Sequence, residues 1–217
     1  MFLTVGKKET NCNITPDIIM KILYYDLETT GLDHKQHAPI QFAGLLEIDG
    51  RLEMELNYTM KPYPDDLIDR RALEVNGRTM EEIQTFDDPT EVLGWILERL
   101  GAHVNTRDRS DQIFLCGYNN IHFDDQFMRE WFIKARRPQF DFMNHFWNES
   151  LDMRVLCAAA LARERKDMPN FKLVTVARHF GIEVDDAKAH EAMYDTELVR
   201  ALSRRVGVVR RANAKAE

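Results

Sequence analysis

Three cysteines in 217 residues, Cys12, Cys116 and Cys157, form neither a CxxC pair nor an even set. That excludes a disulfide framework and a cysteine-ligated zinc site, and the thiols read as buried bystanders. No run of about 18 apolar residues is present to span a membrane, and the opening stretch MFLTVGKKETNCN lacks the apolar centre of an export signal, so a cytoplasmic protein is expected. No Pro-, Gly- or Ser-rich linker divides the chain, and it contains no internal repeat or low-complexity segment. With 44% hydrophobic content, one substantial core in one α/β domain follows. An excess of positive charge is missing too. The 29 basic and 36 acidic residues leave a net charge of -7, which excludes a protein that grips nucleic acid through a broad basic surface. A nucleic-acid enzyme whose acids bind metal is not excluded. The late basic residues Arg204, Arg205, Arg210, Arg211 and Lys215 read most simply as a solvated helix end, and more sharply as a phosphate-binding run.

What is present begins, after an irregular leader at 1–20, with a strand at 22–28, a second near 39–48 and a third near 52–60. In the third, Leu52, Met54, Leu56, Tyr58 and Met60 alternate with polar residues, the period of a half-exposed strand, and Asp49-Gly50 suits a tight hairpin turn. Asp88-Pro89 is an N-cap followed by proline at the first helical position. The helix it opens buries Val92, Leu93, Ile96, Leu97 and Leu100 and stops at Gly101. A strand at 112–118 precedes helices at 123–136, 153–165, 171–180 and 190–206. Strands first, then strand and helix alternating, predict a mixed sheet flanked by helices. One domain is expected over 21–207, with a basic tail at 208–217.

The first strand runs into YYDLETTG (24–31), where Asp26 and Glu28 project from one face about 7 Å apart while Leu23, Tyr25 and Leu27 take the other. A DxE pair at a strand end can be a cap or a surface feature. The last helix changes its weight. Asp195, Leu198, Val199, Leu202 and Val206 recur on one helical face, so an acid continues the stripe that packs on the sheet. A buried carboxylate without a partner costs several kcal/mol unless it is protonated, salt-bridged or bound to a cation. In the doublet Asp124-Asp125 the same facing argument turns Asp124 inward with Phe127, Met128 and Trp131. It turns Asp125 outward, toward Arg129 at i+4. Asp26, Glu28, Asp124 and Asp195 are thus expected to meet at one end of the sheet, with no array of Lys or Arg to neutralise them. Hard divalent cations with oxygen ligands, Mg²⁺ or Mn²⁺, held about 3.5–4 Å apart in a two-metal site, suit such a cluster and phosphoryl chemistry. His190 precedes Asp195 by five residues, about 140° around a helix, so it is expected at the helix entrance rather than on the same face. An imidazole there is suited to take a proton from an attacking water.

DLETTG (26–31), NNIHFDDQF (119–127) and HEAMYD (190–195) resemble, in order, the three motifs of the DEDDh family of 3′→5′ exonucleases, a branch of the ribonuclease-H-like fold. Within it, GYNNIHFDD, PNFKLVTVARHFGI and AHEAMYD look most like the exonuclease I branch, which degrades single-stranded DNA. The resemblance implies that Asp26 bridges two metals, that Glu28 and Asp195 hold the one on the side of the attacking water, and that Asp124 holds the other. It makes His190 the general base and a nucleoside 5′-monophosphate the product. Thr29, Thr30 and Asn120 become substrate-binding residues. RRALEVNGRT (70–79) resembles the loop lining the terminal nucleotide, with Leu73 and Val75 as stacking residues, although Asn76 and Arg78 depart from the family pattern; a plain turn-helix junction is the alternative there. The implied partner is single-stranded nucleic acid with a free 3′ end, DNA before RNA. An RNA-trimming enzyme, a polymerase proofreading subunit and an inactive binding subunit stand as alternatives. Members of the branch continue into domains that embrace the strand, whereas this chain ends soon after the last motif, so distributive cleavage is expected.

Overall fold

A computed structural model describes residues 19–208, with the backbone alone at 139 and 140. The leader, apart from its last two residues, and the basic tail beyond Val208 lie outside the described residues, and with them Cys12, Arg210, Arg211 and Lys215. The sheet is built from β1 (Lys21–Thr29), β2 (Pro39–Ile48), β3 (Arg51–Thr59), β4 (Phe114–Gly117) and β5 (Leu151–Asp152), in the order β3-β2-β1-β4-β5. The first three form an antiparallel meander, and β4 and β5 run parallel to β1. The turn between β2 and β3 puts Asp49 at φ 48° and Gly50 at φ 81°. These are the left-handed values a two-residue hairpin requires.

The helices are α1 (Arg70–Val75), α2 (Met80–Ile83), α3 (Pro89–Gly101), α4 (Asp124–Lys134), α5 (Gln139–His145), α6 (Met153–Ala160), α7 (Leu173–His179) and α8 (Ala192–Val206). α3 starts as its sequence signals: the Asp88 carboxylate accepts from Thr90 N at 2.9 Å and Glu91 N at 3.4 Å, and all five expected apolar residues are buried. α6 is shorter than the expected 153–165, because after Leu161 the run ARERKD supplies no large apolar residue to continue its buried stripe. α8 starts at Ala192 rather than 190, since His190 has φ 73°, outside the right-handed helical region. The short elements α1, α2, α5 and β5 carry too little periodicity to be read in advance.

Two cores sandwich the sheet. Leu23, Tyr25 and Leu27 of β1 pack with Ile96 of α3 and Trp131 of α4, while Ile22 and Tyr24 pack with Met153, Val176, Val199 and Leu202 of α6, α7 and α8. Each fully buried side chain of this size contributes about 1.5–3 kcal/mol. Cys116 and Cys157 are buried, free thiols in the second core. α8 is also fastened by charge: buried Glu47 of β2 accepts from Arg200 at 2.6 Å and Arg204 at 2.8 Å. Arg204 thereby spends its charge on a buried acid, although its side chain stays 46% exposed. Among the described residues no helix is long and apolar enough to cross a membrane.

Candidate active site

Asp26 and Glu28 continue the face of β1 that carries Ile22 and Tyr24, the α8 side, beyond the point where the apolar layer stops. Both are half-buried. Across from them Asp195 lies in the first turn of α8, on the stripe whose lower positions Leu198, Val199 and Leu202 are buried. Asp124 is the first residue of α4. It is 5% exposed, and its Oδ1 accepts from Leu27 N at 3.2 Å. Leu27 stands between Asp26 and Glu28, so this bond brings the third motif acid to the same strand end.

The electrostatics tie the four together. Burial, then the charges of Asp124, Glu28 and Asp195, push the Asp26 carboxyl well above its ordinary range. Burial, then Asp195, raises Glu28 to about 7, with Arg78 opposing. Asp124 is raised chiefly by burial, and the Leu27 N–H works against the rise. Asp195 is raised by burial and offset by His190. Its Oδ1 is buried without a hydrogen-bond partner. Among the described residues no three acid, His or Cys side chains stand close enough together to hold a metal ion as they are placed. Carboxylates that repel one another stand apart until a cation intervenes, and an all-oxygen donor set with an orphaned carboxylate oxygen fits a hard divalent ion.

The other expected residues are placed unevenly. His190 is exposed in the turn that enters α8, close enough for its charge to act on Asp195. The hydroxyls of Thr29 and Thr30 are committed to the loop: Thr29 donates to Gly31 O at 2.7 Å, and Thr30 donates to Leu67 O at 2.8 Å and accepts from Ala38 N. Asn120 is fully buried and donates to Asp125 Oδ1 at 3.2 Å. Leu73 packs beneath the rim with Ile40 and Ile83, leaving Val75, 67% exposed, as the apolar group of α1 that faces solvent.

Asp125 corrects the facing argument. It is buried, accepts from the Tyr25 hydroxyl and from Asn120, and makes no pair with Arg129, which donates to Asn148 O instead. In the first turn of a helix, the approach of the preceding chain sets where a side chain points; here Asn119 has φ 67° and Phe123 has φ -137° and ψ -81°. Arg78 is a further residue that the sequence reading missed. It pairs with Glu82, lies 5.6 Å over the Phe86 ring and bonds Gln41 Oε1 at 3.4 Å, and Gln41 is the β2 partner of Glu28. Its departure from the family pattern at that position was the available signal. Nearby, Asn76 Nδ2 donates to Thr29 O at 3.0 Å and ties α1 to the end of β1.

An antiparallel meander joined to parallel strands, with an acidic cluster where the central strand ends, defines the ribonuclease-H-like nucleases of the DEDDh type. Residues 23–202 match the exonuclease family RNase_T, and the chain belongs to that family. It is 27% identical over 203 residues to exodeoxyribonuclease I of Escherichia coli K12, covering 85% of this chain and 39% of that one. In fold it resembles a structure of exonuclease I, with TM-score 0.70 and 22% identity over 88% of this chain and 41% of that chain. It also resembles E. coli exonuclease I in complex with a dT13 oligonucleotide, with TM-score 0.68, 22% identity and the same coverage. The chain thus spans about two-fifths of the length of these relatives.

Proposed function

We propose that this protein is a divalent-metal-dependent 3′→5′ exonuclease that removes nucleoside 5′-monophosphates from single-stranded DNA. The observation that carries this reading is the acid cluster itself: the charges of Asp124, Glu28 and Asp195 push up Asp26, that of Asp195 pushes up Glu28, and Asp195 Oδ1 is buried and unpartnered. Asp26, Glu28, Asp124 and Asp195 would hold two ions, Mg²⁺ or Mn²⁺. Bound there, such cations would supply positive charge at the phosphate oxygens and lower the pKa of water toward neutrality.

The chain's own residues do the rest. The Leu27 N–H and the buried setting of Asp124 keep that carboxylate aimed at the strand end. His190, exposed beside Asp195, takes the proton from the attacking water. The terminal nucleotide rests against Val75, and the backbone of the Thr29–Gly31 loop meets it, since both threonine hydroxyls are already used. The preference for DNA rests on the similarity to exodeoxyribonuclease I.

The test is digestion of 5′-labelled single-stranded DNA, duplex DNA and RNA side by side with Mg²⁺ or Mn²⁺. Stepwise loss of mononucleotides from the 3′ end of the single-stranded DNA is expected. Cleavage of a closed circular single strand, or digestion indifferent to excess EDTA, would defeat the reading. Faster loss from RNA would move the substrate to RNA. His190→Ala should bind the strand almost as wild type does while turnover falls roughly 10²–10⁴-fold. A variant within a few-fold of wild type at saturating metal makes His190 a bystander.

A further inference from the structure

β1, β4 and β5 run parallel, so their C-terminal ends open onto one edge of the sheet. The acids stand at the end of β1. On the β2 flank, Asn76 ties α1 to Thr29 and forms the rim assigned above to the terminal nucleotide. On the opposite flank, past β4 and β5, lies an open groove of about 920 Å³. Asn119 and His122 form its head, on the stretch that leads directly into Asp124, and Ala158, Ala159 and Ala162 form a floor of small side chains along and just beyond α6. Arg154, Arg165 and Lys166 line its sides.

Two features make this a built surface. The head is fixed by bonds across 33 and 35 residues of sequence: Asp152 Oδ1 accepts from Asn119 N at 3.0 Å, and Arg154 Nη1 donates to Asn119 Oδ1 at 2.7 Å. The groove's only carboxylate, Asp152, is 4% exposed, and its Oδ1 also accepts from Arg154 N at 2.8 Å; Oδ2 is buried and unpartnered. The charge turned to solvent is therefore cationic. Arg165 and Lys166 are exposed and have no acidic partner among the described residues. In a chain of net charge -7, such a strip beside an acidic centre needs an anionic occupant.

We propose that this groove receives the backbone phosphates of the nucleotides immediately 5′ of the scissile bond. The proposal rests on the exonuclease reading and extends it. Two strand spacings, about 10 Å, separate the end of β1 from that of β5. A strand whose 3′ nucleotide lies at the α1 rim and whose scissile phosphate lies at the acids crosses β4 and reaches α6 within a few nucleotides. The small floor admits a sugar–phosphate backbone, and the flanking cations meet successive phosphates.

The experiment compares wild type, Arg165→Ala/Lys166→Ala, and a control of equal charge change, Arg107→Ala/Arg109→Ala, on the exposed loop before β4 at the opposite edge of the sheet. The substrates are oligothymidylates of two, four and eight nucleotides and the p-nitrophenyl ester of thymidine 5′-monophosphate, which occupies the reaction centre alone. For wild type and control, KM should fall as the strand lengthens. For the groove variant that gain should vanish, raising KM for the eight-nucleotide strand about tenfold, and the slope of log KM against log salt should drop by about 1.4, or 0.7 for each of two phosphates. Hydrolysis of the ester should not change. An unaltered length dependence, a parallel loss on the ester, or equal affinity for an oligoglutamate of the same charge would overturn the groove as a strand track. If wild type hydrolyses neither substrate, the exonuclease reading fails by itself. The groove is then judged by fluorescence anisotropy of labelled dT8 with Ca²⁺, where only the groove variant should bind about tenfold more weakly; equal binding by all three proteins overturns it.

Discussion

Asp124 and Asp125 are neighbours with one side chain chemistry and two different tasks. Asp124 sits in the acid cluster, bonded to Leu27 N, and is proposed above as a metal ligand. Asp125 is a buried acceptor for Tyr25 and Asn120, and burial and the charge of Asp125 hold the Tyr25 phenol well above its ordinary value, so it stays a donor. Asp124→Ala should abolish turnover with unfolding in urea little changed. Asp125→Ala leaves two buried donors unmet and should cost about 2–3 kcal/mol in urea unfolding. An Asp125→Ala protein as stable as wild type would mean that the pocket rearranges or admits water. Helical spacing sorted Asp124 correctly and Asp125 wrongly. The period of 3.6 relates residues within a helix, but it does not say which donors from another strand will reach the first turn.

Among the elements, α8 shows how much a local pattern can carry. Its stripe of Leu198, Val199 and Leu202 was legible, and so was the acid that interrupts it. Its second fastening was not legible, since Glu47 and Arg200 are 153 residues apart. The Glu47 carboxylate is 1% exposed, and the Arg200 side chain, at 21%, is more enclosed than that of Arg204, at 46%. Arg200→Ala should therefore destabilise by about 2–3 kcal/mol, because it strips a buried charge of its closer partner. Arg204→Ala should cost under about 1 kcal/mol. Equal losses in urea unfolding would show that the two arginines share the charge evenly. α6 makes the complementary point: its early end at Ala160 leaves room for the turn that carries Arg165 and Lys166 beside the groove.

For the whole molecule, the acid cluster makes stability depend on pH and metal together. Glu28, with its folded value near 7 against an ordinary 4.5, binds more protons in the folded than in the unfolded state between those values, and Asp26, Asp124 and Asp195 are shifted the same way. Their contribution is fully present below the unfolded values and is lost as pH rises through the folded ones. Asp33, Asp108 and Asp111 are shifted down, so their contribution is lost only below about pH 4, outside this window. In EDTA, Tm should therefore fall by about 5 °C between pH 5 and pH 8. Saturating Mg²⁺ should recover most of that loss at pH 8 and little at pH 5, because it binds the ionised carboxylates. Scanning calorimetry at the two pH values decides the matter; a Tm that rises from pH 5 to pH 8 in EDTA would show that the acids are not the destabilising charge.

The sequence by itself determined the elements with long apolar periods, the meander-then-alternation order, and the residue types of the acid cluster. Asp124 and Asp195 could be picked out because each places a charge where local spacing calls for burial, and Asp26 and Glu28 because two acids share one face where an apolar strand ends; both signals are visible within a few residues. Only the tertiary structure decided that Thr29, Thr30, Asn120 and Leu73 are turned into the protein, that Asp125 is a buried anchor, that Arg78 stands beside Glu28 and that cations line a groove next to α6. These are relations between segments as far as 100 residues apart, as in Tyr25 and Asp125. Backbone periodicity records which face a residue shares with its near neighbours. The partner that waits on that face is fixed only when the chain packs and each desolvated polar group must find a donor, an acceptor or an ion.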